Sequence, residues 1–484
     1  MRRANIIFRL STAAAITSFS VTVLPPVARA QQAQEPAPPD EVNPPTRVGA
    51  LTRVQGVVSF HAAGADSWSP AAVNYPVTTG EGFWTQPGAE ARIDVSDTDI
   101  VMAGGTELEI GTLDATTLVA SIPQGEAYLR VRDVRQGETY TLVTPRGSVT
   151  IAAPGRYAVA AGDTGSPTRV TVLEGTATLG DGAEGSLAAG QAAEITGDAA
   201  PFQVQIVDAA HDAFIDHVLA EERPAPAQQT AAPALVAQMP GGAELADYGT
   251  WTPNQQYGDV WYPQVQANWV PYREGHWAYV EPWGWTWVDA DPWGFAPFHY
   301  GRWADIDGRW GWIPGYSQPV AEAPYYPVYA PALVTFFGVG LAVGVTAALL
   351  SQGSVGWVPL GPNEPYRPWF RAGPQYVRDV NIRHVTNMTQ ITSITNNNTR
   401  IVNNVTINKL RNASGATVVP AAAMATSRSL GGVARRPTAQ MLAQARPVIG
   451  RSPIPPTTAT AGVTPAVARA VHAIPAPAGT RAER

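Results

Sequence analysis

Apolar and polar residues alternate with period two through most of the stretch from Arg47 to about Gly197. GVVSF (56–60), ARIDV (91–95), TELEI (106–110), AYLRV (127–131), SVTIA (148–152) and RVTVL (169–173) recur between clusters of Gly, Pro and Asp. Side chains along a strand point alternately to the two faces of a sheet, so each run predicts a strand with one face buried. These runs begin 15 to 35 residues apart, with no helical period between them. The stretch 47–200 therefore predicts a mainly β domain, either an antiparallel β-sandwich or a β-solenoid-like stack of sheets.

The period changes near residue 201. In FQVQIVDAAHDAFIDHVLAEER (202–223), Ala210, Phe214 and Val218, with Ile215 and Leu219, recur at helical spacing, which predicts a helix over 201–223 closing the β domain. His211 and His217 lie six positions apart and do not share one helix face as i, i+4 ligands would, so the helix predicts a solvated face and no metal site. Pro-rich residues 31–46 and Ala/Pro-rich residues 224–247 read as linkers.

From Tyr248 to Trp312 the alternation is carried by aromatics, with 11 of the chain's 15 Trp. The densest part is WGWTWVDADPWGFAPFHYGRW (283–303). It contains an echo: Gly275-His276-Trp277 followed by Trp283-Gly284-Trp285, and Gly301-Arg302-Trp303 followed by Trp310-Gly311-Trp312. Trp283, Trp285 and Trp287 fall on one strand face by period two. Two uses are open to such a face. Aromatic side chains that bury about 150–250 Å2 each can build the core of a Leu-poor module. Exposed, Trp277, Trp283, Trp285, Trp287, Trp293, Trp303, Trp310 and Trp312 would form a platform for sugar rings or Pro-rich peptides. Arg302 and Arg309 are local candidates for cation-π pairing.

The 18 uncharged residues 333–350, LVTFFGVGLAVGVTAALL, contain three Gly and predict buried strands or a helical hairpin within this module, with a membrane-associated segment as the alternative. Residues 372–411 alternate Ile and Val with Asn and Thr, which predicts an extended arm able to pair with another chain's edge, hence self-association. Residues 412–484, rich in Ala, Pro, Thr and Arg, predict a disordered tail.

Charge is unevenly spread. Residues 31–320 carry 13 Arg against 35 Asp and Glu, and residues 321–484 carry 15 Arg and Lys against 4. The basic end is an expected contact for anionic envelope surfaces. Residues 1–30 have Arg2, Arg3 and Arg9, an apolar middle and the ending Ala28-Arg29-Ala30, which predicts an export signal cleaved after Ala30 and a periplasmic or secreted protein. Nucleic acid is a poor partner for an exported chain. The absence of cysteine excludes disulfides, thiolate metal sites and thiol nucleophiles.

Taken together and in order, Gln55-Gly56-Val57-Val58, Trp68, Asn74-Tyr75-Pro76-Val77 with Gly80-Glu81, Thr85-Gln86-Pro87-Gly88-Ala89, Gln124-Gly125-Glu126, Thr144-Pro145-Arg146-Gly147, Pro154-Gly155-Arg156-Tyr157, Val172-Leu173-Glu174-Gly175 and Leu187-Ala188-Ala189-Gly190-Gln191 resemble the FecR-type periplasmic domain. That resemblance implies envelope signalling with a receptor and a sigma factor, although the cytoplasmic portion and anchoring helix of the signalling members are not seen before it. YGDVWYPQVQANWVPYREGHW, EPWGWTWV, DPWGFAPFHYGRW, GRWGWIPG and VGWVPLGP resemble a Trp/Tyr-rich family of exported bacterial proteins of unassigned function, over about 248–369.

Asp289, Asp291, Asp305, Asp307, His276 and His299 supply acid/base groups beside aromatics, as glycan hydrolysis would need, yet each Asp also sits where a turn needs one. No HExxH, G-x-S-x-G or Walker pattern occurs. The expectation is a non-enzymatic envelope protein without cofactor or metal that binds a cell-wall or extracellular glycan or an envelope protein. A FecR-like sensor and a glycan hydrolase are the alternatives.

Overall fold

The computed structural model describes residues 43–222 except 66, 232–315, 323–339, 353–387, 391, 406–450 and parts of 452–473. The expected export signal, most of the first linker and residues 340–350 of the uncharged stretch lie outside the described residues. The fold is mainly β.

The alternating runs form two nine-stranded sheets. The first is ordered Gln203–Asp208, Gln191–Thr196, Thr168–Glu174, Gly155–Ala160, Glu126–Val131, Thr98–Met102, Glu90–Val95, Gly49–Gln55 and Pro76–Val77. The second is ordered Gly185–Ala188, Thr176–Gly180, Gly147–Ile151, Thr139–Thr144, Thr117–Gln124, Glu107–Leu113, Gly82–Thr85, Val58–His61 and Ser69–Pro70. Neighbours are antiparallel except Thr117–Gln124 and Thr139–Thr144, which run parallel. The chain passes back and forth between the sheets and advances along both, so the two expected architectures merge. Leu51, Ile93 and Leu129 from one sheet join Leu108, Leu118 and Leu142 from the other in one core.

The corners where the chain changes sheet need glycine. Gly125 (φ 85°) links Thr117–Gln124 to Glu126–Val131, and Gly175 (φ 89°) links Thr168–Glu174 to Thr176–Gly180. Both adopt the left-handed region that costs other residues, and a Cβ there would run into Thr106 or the Tyr157 hydroxyl.

The region after residue 201 departs from expectation. Gln203–Asp208 is the edge strand of the first sheet, and only Ala213–Glu221 is helical, capped by Asp212, whose carboxylate accepts from Ile215 N at 2.9 Å. Val204, Ile206 and their polar neighbours alternate with period two, and the sheet edge at Gln191–Thr196 was there to pair them. The second linker is also partly folded: Val236, Met239 and Leu245 are buried, and Gly241 N donates to Asp94 Oδ2 at 3.3 Å.

The Trp-rich part consists of hairpins. Gly249–Asn254 with Gly258–Pro263 and Arg302–Ile306 with Arg309–Ile313 form one four-stranded sheet, and Gly275–Val280 with Gly284–Asp289 form a two-stranded one. The sequence echo is structural: Trp277 pairs across strands with Trp287, and Trp303 with Trp312. Val334–Val339 pairs with Ser354–Pro359, so the described start of the uncharged stretch is strand, as expected. Among the described residues no helix is long and apolar enough to cross a membrane.

Two further expectations are corrected. Pro374–Asp379 is helical, where an extended arm was predicted; residues 388–390 and 392–405 lie outside the described residues. The tail is not disordered throughout: Thr417–Pro420 and Arg446–Val448 flank the 334–359 hairpin in a four-stranded sheet, and Ala421, Met424, Leu430 and Ile454 are buried. Scattered small apolar residues looked too sparse for a core, but they fill gaps against Trp side chains already in place. Residues 42–484 form one compact unit, so the β stack and the Trp-rich part share a core. Asn74 Nδ2 bridges them, donating to Asp289 O (3.1 Å) and Asp291 O (2.6 Å).

Candidate functional site

The indoles are the natural starting point, and the structure corrects their expected role. Trp277, Trp283, Trp285, Trp287 and Trp312 are fully buried, Trp303 is 1% and Trp293 3% exposed, and Trp310 is half-buried. Seven of the eight therefore offer no stacking surface. They pack on one another and on residues distant in sequence. Trp277 meets Trp287 and Trp357 with ring centroids 5.3 Å apart in both cases, and Trp261 meets Trp293 at 5.0 Å. Such edge-on pairs each add about 0.5–1.5 kcal/mol beyond area burial.

Several of the buried indole N–H groups find backbone carbonyls. Trp303 donates to Pro297 O, Trp312 to Tyr300 O and Trp285 to Ile454 O, each at 2.9 Å. The platform thus fails because the rings are spent on one another and on segments that pack against them, Ile454 of the tail among them. Arg309 lies over the Tyr262 ring at 4.6 Å, while buried Arg302 donates to Glu364 O, Gly301 O and Asn381 Oδ1.

The acid/base candidates also serve the fold. Asp289 is buried, accepts from Trp287 Nε1 (2.8 Å) and Asp291 N (3.0 Å), and burial holds its carboxyl well above the usual range. Asp305 accepts from Gly308 N at 2.9 Å and Asp307 occupies the left-handed turn position (φ 53°). His299 is buried with Nδ1 2.8 Å from Ala330 O, and burial lowers it to about 4. Burial likewise lowers His276 to about 4.

A different surface is left open. Helix Ala213–Glu221 packs on the middle of the outer face of the first sheet, seating Ile215 and Val218 on Val101, Tyr128 and Ala158. On the second sheet the outer positions carry hydroxyls. Ser186, Thr178, Thr150, Thr141, Val119 and Thr112 follow one another in register across six strands. Ser186 and Thr178 are exposed and the other four are half-buried. A second row, Val143, Ser121, Glu109, Gly82 and His61, runs beside it. Adjacent strands stand about 4.8 Å apart, so hydroxyls repeat at that spacing across a flat face.

Two partly exposed indoles lie at one end of this face. Trp84 is half-buried between Ser59 and Glu107, and Trp68, 45% exposed, stands edge-on to the His61 ring with centroids 4.7 Å apart. Sequence reasoning placed Trp68 only within a family resemblance and did not single out Trp84. The available signal was the Thr at outward positions of YTLVT, SVTIA and TATLG, which an ordinary solvated strand also shows. A second group missed by the sequence joins His217 to Glu90 and Glu221 on the covered side.

Comparison with known proteins adds the following. A family model described as "Family of unknown function (DUF6600)" matches residues 242–364, within the Trp-rich part. No curated protein matches the chain. Among solved structures, two of a candidate anti-sigma factor from Parabacteroides distasonis ATCC 8503, at 1.65 and 2.50 Å, are similar to 26% of this chain at 15% and 16% identity, each with TM-score 0.23. This chain spans 59% of the length of each of them.

Proposed function

We propose that this chain is a non-enzymatic binding protein of the cell envelope, periplasmic or secreted, and that the open face of the second sheet holds its ligand, a neutral glycan chain. The observation that carries this reading is the in-register row of Thr and Ser hydroxyls, interrupted by Val119, on a face that also bears Trp84 and, beside His61, Trp68; this face is bare among the described residues while a helix packs on the middle of the equivalent face of the first sheet. The row of hydroxyls gives donors and acceptors at regular spacing without fixed charge, and the indoles at one end of the face, beside Glu107 and Glu109, offer apolar faces for sugar rings. The FecR-type resemblance of residues 47–197 agrees with an envelope location. The Trp-rich part then acts as a rigid base, since its rings are used internally.

Co-sedimentation of the full chain with insoluble wall glycan or exopolysaccharide tests this. Trp84→Ala is expected to weaken retention about tenfold, equivalent to about 1.4 kcal/mol. Retention on none of the polysaccharides offered would remove the glycan reading.

An envelope-protein partner is a second reading, favoured by one feature. Gln203–Asp208 is the terminal strand of the first sheet, and Ile206 is 44% exposed, as a surface for strand addition by a receptor-like partner requires. Ile206→Pro would abolish such capture and leave glycan retention intact.

A further inference from the structure

On the covered side of the first sheet, three side chains from two elements converge. Glu90 opens strand Glu90–Val95, and His217 and Glu221 stand at i and i+4 on helix Ala213–Glu221, hence on one helix face. His217 Nε2 lies 3.2 Å from Glu90 Oε2 and 3.7 Å from Glu221 Oε1, and the three ligand atoms all lie within 4.8 Å of one another. A tetrahedral ion held at about 2.0–2.2 Å by nitrogen and oxygen keeps neighbouring ligand atoms about 3.3–3.6 Å apart. The two distances to His217 bracket that range.

Glu90 supplies the independent sign that something is missing. It is only 8% exposed, and its Oε1 is buried without a hydrogen-bond partner. A buried carboxylate oxygen left unpaired is costly; Oε2 is the oxygen that faces His217, and a cation held by both Glu90 oxygens would satisfy Oε1 as well. Arg53 holds Glu221 through both oxygens, at 2.6 and 3.0 Å, and Arg92 lies 4.0 Å away. Each carboxylate oxygen has two lone pairs, so Glu221 can accept from Arg53 and still face an ion; the guanidinium then orients the ligand from behind. The half-exposed His217 ring leaves the site open to solvent on one side, where a water would complete four ligands.

We propose that Glu90, His217 and Glu221 form a divalent-metal site of the zinc class that pins helix Ala213–Glu221 to the first sheet. One histidine and two carboxylates make a donor set for a borderline ion, in a chain that has no thiolate to offer. The metal joins two elements far apart in sequence, so its binding energy adds to the stability of the folded state.

The test is titration of the metal-stripped full chain with Zn2+ by calorimetry and thermal melting, with Co2+ as a spectroscopic substitute. The expected result is one equivalent bound, a raised Tm, and the visible d–d absorption of tetrahedral Co2+. Glu90→Gln, which keeps the side-chain shape, and His217→Ala should each lower affinity at least about a hundredfold, while His211→Ala, just before the helix cap Asp212, leaves it unchanged. A chain that binds no stoichiometric zinc overturns the proposal. So does binding that survives Glu90→Gln and His217→Ala, or binding that is lost with His211→Ala.

Discussion

Trp287 donates its indole N–H to Asp289 Oδ2 across 2.8 Å, with both side chains buried. Residues two apart on a strand share a face, which brings the donor onto the acceptor, while Asp289 Oδ1 takes the N–H of Asp291 and shapes the turn that follows. Trp287→Phe keeps most of the ring and removes the donor, leaving a carboxyl oxygen unpaired in the core. The expected cost is about 1–3 kcal/mol, read as a lower denaturant midpoint. An unchanged midpoint would mean that the aromatic packing alone sets the stability here.

The junction between the β stack and the Trp-rich part depends on Asn74, which adopts the left-handed region (φ 67°) and donates to two carbonyls of the 289–291 turn. Asn74→Gly keeps the backbone freedom and loses the hydrogen bonds. Asn74→Ala loses both and should be the less stable of the two, by about 0.5–1 kcal/mol. Thermal melts of the pair decide the matter, and equal midpoints would show that backbone conformation is not limiting.

Burial pushes the Glu81 carboxyl up to about 8, against the pull of its hydrogen bonds from Thr78 and Tyr75. Asp94 is raised to about 8, first by burial and then by the carboxylates of Asp99 and Glu244. A carboxyl whose folded pKa lies above its unfolded one binds more protons when folded. Its stabilising contribution is complete below the unfolded value and is lost as pH rises from about 4.5 to about 8. Glu81→Gln should therefore flatten the decline in stability between pH 5 and 8.5. Parallel wild-type and variant profiles would show that Glu81 does not titrate in that window.

Removal of residues 412–484 should destabilise the whole unit rather than trim an appendage. Met424, Leu430 and Ile454 are buried, each worth about 1.5–3 kcal/mol, and Trp285 loses its acceptor at Ile454 O. The truncated chain should melt earlier and show red-shifted Trp emission. A melt indistinguishable from that of the full chain would return the tail to the disordered class.

The strands of the β stack were legible because a sheet with one buried face writes period two into the sequence, and its Gly corners, such as Gly125 and Gly175, mark where the chain changes sheet. The Trp hairpins were legible as a repeat, but whether their rings were core or platform was not. Burial of Trp285 is decided by Ile454, which no local pattern connects to it. The same limit applies to Glu90, His217 and Glu221, which meet only after strand and helix dock. The 203–208 strand was misread because Phe202, Val204 and Ile206 precede a true amphipathic helix, and a longer helix absorbed them. The hydroxyl face was visible as outward Thr residues, yet their alignment across six strands exists only in the register.

The claim that the open face of the second sheet binds a glycan is tested most directly by a binding isotherm on insoluble wall glycan for the wild type and for Thr141→Arg/Thr150→Arg. These two residues pair across adjacent strands with their hydroxyls 3.5 Å apart, at the middle of the row. Two long charged side chains there would block a flat ligand while leaving the core untouched. Saturable binding by the wild type, weakened at least about a hundredfold (about 2.7 kcal/mol) in a variant with an unchanged melting temperature, is the predicted result. Equal binding by the two proteins would contradict the assignment of this face.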